Sequence, residues 1–208
     1  MNRAKRKSNG RKFAVLVAML CIVSVSAFAT AIVFAATNIK GSGTTNITYS
    51  ATGTIVGSVD ASYTLGNEEK TTWGTVSYDG TEGESSTKSL DQISNIAFTA
   101  LNNTVVYEFL FKADTGTSAS AKGYSATLSF KLGEGKSAQN VKVYYSTDNT
   151  SWGDAIAIGS GEITLSATAL DVRSAAGTSA FVKVEMINAL DDVNFGGTFG
   201  WTLVKNNA

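Results

Sequence analysis

Val141, Val143 and Tyr145 alternate with Lys142 and Tyr144, and the same rhythm returns where Val182, Val184 and Met186 alternate with Lys183 and Glu185. A period of two puts each set on one side of an extended chain, so these segments read as half-buried strands. Phe199, Trp201 and Leu203 repeat the pattern against Gly200, Thr202 and Val204. Tyr107, Phe109 and Phe111 alternate with Val106, Glu108, Leu110 and Lys112, so both faces carry apolar groups and this strand is expected at the centre of a sheet. Further runs of β-branched and aromatic residues, bounded by Gly, Asn, Asp and Ser, predict strands over 46–51, 54–65, 72–78, 95–99, 105–113, 124–132, 141–146, 155–158, 163–167, 180–187 and 198–204. No segment of residues 36–208 has a strong helical period. The expected fold is all-β, an antiparallel β-sandwich of jelly-roll or Ig-like type. Residues 146–152 read as a hairpin tip, because Asp148 and Asn149 tolerate the left-handed conformation of tight turns. Residues 80–92 are the longest polar stretch and are expected to form a mobile surface loop.

The N-terminus follows a different grammar. Arg3, Lys5, Arg6, Lys7, Arg11 and Lys12 precede an uncharged stretch over residues 13–34. Basic, then apolar, then small is the order of a secretory signal, expected to be helical. Val33-Phe34-Ala35 predicts cleavage between Ala35 and Ala36, and Ala27-Phe28-Ala29 offers an earlier site. The stretch is also long enough to remain as a membrane anchor with its basic side in the cytoplasm. Cys21 follows Leu20 rather than a small residue, which argues against lipidation. Processing after Gly10, in the manner of a type IV pilin, fits poorly because Arg11 and Lys12 would open the mature helix. The division is therefore a signal or anchor over residues 1–35 and a single β-sandwich domain over 36–208.

Composition removes much of the chemistry open to such a domain. The chain has no histidine and one cysteine, which excludes Ser-His-Asp and Cys-His catalysis, Cys/His zinc sites and an intrachain disulfide. No phosphate-binding glycine loop is present. The expectation is a protein that is not an enzyme. Without the basic start, 11 basic residues face 17 acidic ones, a net charge of −6 that disfavours nucleic acid and anionic lipid. There are 25 Thr and 23 Ser, and with 20 Gly this is the profile of an extracellular β-protein.

Two sets of residues remain as binding candidates. Asp191, Asp192 and Asn194 place three oxygen donors within four residues, so calcium is the one cofactor left open, against the plainer reading of a solvated acidic turn. Trp73, Tyr144 and Trp152 fall near turns or on the polar side of a strand, where exposed rings would stack on sugars, or else cap the core. Lys112 and Glu108 share a strand face and supply two members of a Lys–Asn isopeptide arrangement.

The basic start, Ala35-Ala36-Thr37 at the processing site, the strand Val105-Val106-Tyr107-Glu108-Phe109-Leu110-Phe111 and the closing Gly197-Thr198-Phe199-Gly200-Trp201-Thr202-Leu203 together resemble the TasA/camelysin class of exported Gram-positive proteins. That resemblance implies a secreted or cell-surface structural subunit of a biofilm extracellular matrix, released by signal peptidase, that polymerises by donating its N-terminal strand. Its partner would be a second copy of itself. Some members of the class have been described as metallopeptidases, and the missing histidines argue against carrying that activity over. The alternative is a carbohydrate-binding or adhesive β-sandwich whose partner is a cell-surface polysaccharide.

Overall fold

A computed structural model describes residues 37–38, 46–82, 85–89, 97–98, 102–118, 120–187 and 195–207. Among them there is no helix and there are thirteen strands. In chain order these are β1 (Thr37–Asn38), β2 (Asn46–Thr52), β3 (Ile55–Leu65), β4 (Thr71–Gly80), β5 (Ser85–Ser89), β6 (Ala97–Phe98), β7 (Thr104–Ala113), β8 (Tyr124–Leu132), β9 (Val141–Ser146), β10 (Glu162–Thr164), β11 (Leu170–Val172), β12 (Thr178–Met186) and β13 (Gly197–Lys205). They build two antiparallel-rich sheets, an architecture consistent with a β-sandwich. One sheet runs β4-β3-β7-β12-β9 and is antiparallel throughout. The other runs β10-β8-β13-β2-β5, with β11 also paired to β8. β1 and β6 form a separate antiparallel pair.

The alternating segments become strands because each has one face to bury. In β12, Ala180, Val182, Val184 and Met186 are buried while Phe181, Lys183 and Glu185 are half-exposed on the other side. β7, apolar on both faces, is the middle strand of its sheet. Rings from the two sheets meet between them. Phe109 of β7 lies 4.8 Å from Phe199 and 6.2 Å from Trp201 of β13, and Phe111 meets Trp201 edge-on at 5.6 Å. Aromatic pairs at such spacing add to the area they bury. At one end of the core the Tyr78 and Tyr124 hydroxyls meet each other and the Lys112 carbonyl, 3.0 and 3.1 Å away; with one proton each, one hydroxyl donates to the carbonyl while the other donates to its partner hydroxyl or to the same carbonyl. Ser120 ties the following turn to β3, accepting from Val56 N at 2.6 Å and donating to Val56 O at 3.0 Å.

Four expectations need correction. β2 pairs with β13 in parallel, not antiparallel. Parallel neighbours cannot be joined by a hairpin, and nearly the whole domain serves as their crossover. The polar stretch over residues 80–92 contains β5, which pairs antiparallel with β2. An edge strand needs only backbone partners, so its polar side chains hide it. Residues 155–158 contribute only a bridge between Ile156 and Val143 instead of a strand. β11 was not expected, because three residues, buried Leu170 and Val172 around exposed Asp171, are too few to set a rhythm.

Candidate functional site

The three candidate sugar-stacking rings separate into two environments. Trp73 is 6% exposed. Opposite it the register between β3 and β4 shifts at Ala61 and Ser62, a bulge that re-aims the strand. Its ring packs against Tyr107 at 5.7 Å, Phe109 at 6.3 Å and Phe199 at 6.3 Å. Trp73 is thus a core residue, and its place among the exposed rings is corrected.

Tyr144 and Trp152 do come together. Tyr144 stands on β9 directly opposite Lys183 of β12, on the outer face of the five-stranded sheet. Trp152 follows the hairpin tip and folds back over the same face. The Lys183 ammonium lies 4.4 Å from the Tyr144 ring centroid and 4.9 Å from that of Trp152, so one cation serves both rings. Glu185 is the next outward residue of β12. Desolvation, and then the charge and hydrogen bonding of the Glu185 carboxylate, hold the Tyr144 hydroxyl above its usual range.

The hairpin is built to hold Trp152 there. Asp148 Oδ1 accepts from Thr150 N at 2.8 Å, Ser151 N at 2.7 Å and Ser146 Oγ at 2.9 Å. Ser146 Oγ in turn accepts from Asp148 N and Asn149 N, at 3.2 and 3.1 Å. Asn149 takes the left-handed turn, with φ of 60°. Backbone bonds then dock the returning chain, from Gly153 N to Tyr145 O at 3.4 Å and from Ile156 N to Val143 O at 2.7 Å. The bonds from Ser151 and Thr150 hold the Asp148 carboxyl far below the ordinary carboxylate range.

Further along this outer face four charges are matched in two pairs. Glu108 accepts from Lys70 at 2.5 Å and from Ser179 at 3.0 Å. Asp60 accepts from Lys112 at 2.6 Å and from Thr75 at 2.8 Å, and chiefly the Lys112 bond lowers its pKa. Lys112 and Glu108 therefore belong to separate ion pairs. The Lys112 side chain is 35% exposed, whereas an isopeptide bond needs a buried lysine.

Asp191, Asp192 and Asn194, the calcium candidates, lie outside the described residues, as do Ala35 and Ala36 at the expected cleavage point and the apolar stretch over 13–34. Among the described residues no cluster of three acidic, Cys or His side chains is placed to hold a metal, and no helix is long and apolar enough to cross a membrane. Among the described residues the surface also holds two open grooves. One, of about 660 Å³, carries Asp79, Lys88, Lys112 and Asp114 at the tyrosine end of the core. The other, of about 560 Å³, runs beside β9 between Leu132, Ala138, Val141, Ile156 and Ile158.

Lys183 and Asp148 are the residues that sequence reasoning did not assign to this site. Alternation put Lys183 and Tyr144 on the polar sides of their strands, but only the β9–β12 register makes them neighbours. No protein family, no curated protein and no solved structure matches this chain.

Proposed function

We propose that the chain is an exported cell-surface or matrix protein whose sandwich is a carbohydrate-binding, adhesive module, not an enzyme. One observation carries this reading: two of the three candidate rings, Tyr144 and Trp152, converge on an exposed sheet face, with the tryptophan held by an ordered hairpin. Rigid, partly exposed aromatic groups are the parts a pyranose ring stacks on. The basic, apolar and small order of the N-terminus supports secretion. The parallel β2–β13 pair favours an Ig-like sandwich over a jelly roll, which is built from antiparallel Greek keys.

A second reading, the polymerising matrix subunit of the TasA/camelysin class, rests on a different observation. β4 is an edge strand of ten residues with one charge, Asp79, and no proline, and such edges accept further strands. β2 is already paired on both sides within its own chain, so any donated strand would come from residues before Asn46.

Sedimentation of the purified full chain, alone and with a panel of insoluble neutral and acidic polysaccharides, separates the two. The adhesive module pellets only with polysaccharide, and Trp152→Ala and Tyr144→Ala each weaken binding by about tenfold or more. A chain that pellets alone, indifferent to polysaccharide, supports the subunit. A chain that pellets in neither case overturns both.

A further inference from the structure

From the surroundings of Lys183 we infer that the glycan bound at this face is acidic, a polymer of uronic acid or another carboxylated sugar, with Lys183 reading the carboxylate. The inference rests on the proposed sugar-stacking role of Tyr144 and Trp152. Among the described residues no carboxylate forms a salt bridge with Lys183. The acids around it are otherwise engaged. Glu108, one strand away, holds Lys70 and Ser179, while Glu185 faces the Tyr144 hydroxyl. Lys142, opposite Glu185 on β9, is an exposed second cation on the same edge. An ammonium bracketed by two rings, on a half-buried residue, is held in one place, so an arriving anion meets a positioned charge and not a free tether.

A neutral sugar would gain from the rings but leave that charge unused. A carboxylated pyranose can stack on a ring and set its carboxylate against the ammonium, a charge-assisted contact. Residues 13–208 carry a net charge of −6, so outside the six basic residues of the first twelve no general attraction for polyanions supplies the preference, and the Lys183 variants, which keep that basic start, separate the two sources. Within residues 13–208 the preference has to come from the local cation. The acidic background also disfavours densely charged phosphate polymers relative to a sugar acid with one carboxylate per residue.

The experiment compares polygalacturonate with its fully methyl-esterified form, the same backbone with its charges removed, against the full chain in mild detergent. Wild type should bind the acid form about tenfold or more tightly than the ester, and the difference should shrink as salt is added. Lys183→Gln should abolish the difference, and Lys183→Arg should keep most of it, with cooperative melting of both variants, lowered by no more than the loss of two ring contacts, showing an intact fold. Equal wild-type binding to acid and ester overturns the inference and leaves the sugar-stacking reading standing. A preference that survives in Lys183→Gln overturns the assignment to Lys183. Binding to neither form, nor to any polysaccharide in the panel, overturns both.

Discussion

Trp201 and Trp152 stand on opposite sides of the same architecture. Trp201, 2% exposed, sits between the sheets against Phe109 and Phe111, and its indole N–H finds no hydrogen-bond partner among the described residues. Trp152 lies outside, half-buried, with a lysine ammonium at its ring. The core accepts an unpaired donor in exchange for ring contacts and burial. At the hairpin a carboxylate organises three hydrogen bonds to hold one ring at the surface. The contrast teaches that aromatic content alone does not distinguish packing from recognition. What distinguishes them is which sheet face the strand turns toward solvent, and whether polar groups spend hydrogen bonds to keep the ring there.

The sharpest way to break this contrast is to truncate the tryptophans in turn. Trp201→Ala and Trp73→Ala should each cost about 3–5 kcal/mol, the range for deleting a large buried aromatic. Trp152→Ala should cost about 1 kcal/mol or less. Denaturant melts of the three variants measure this directly. Similar losses at all three positions would mean that Trp152 is a core residue and no platform.

A smaller effect tests what holds the hairpin. The Asp148 carboxyl titrates below its usual 3.8 in the folded chain, so the unfolded chain binds more protons in acid. Its stabilisation is complete above the unfolded value, about pH 4, and is lost as pH falls through the lowered folded value. Asp148→Asn should therefore melt below wild type at neutral pH, with the gap closing as pH drops from about 6 to about 2. A gap that is constant with pH would show that the charge of Asp148 does not organise the turn.

The smallest expected effect belongs to Lys183. A strand-face lysine with no partner would change stability by about 0.5 kcal/mol or less on replacement. Two ring contacts raise the expected cost of Lys183→Ala to about 0.5–1 kcal/mol. A double-mutant cycle with Trp152→Ala should return a coupling of similar size, and a coupling of zero would remove the bracket from the site.

The two-residue rhythm was enough to establish much by itself. It identified the all-β class, the limits of β8 and β9, the central place of β7 and the burial of Trp201, because alternation is a local property that any half-buried strand must display. It also put Tyr144 and Lys183 on outward faces. Only the tertiary structure decided the rest. β5 is a strand because β2 offers it backbone partners, not because of its side chains. Trp73 is buried because a bulge and the opposite sheet receive it, although its position near a turn suggested exposure. Tyr144, Trp152 and Lys183 form one site because register and a folded-back hairpin set them side by side, and neither register nor the path of a loop is written in the period of a strand.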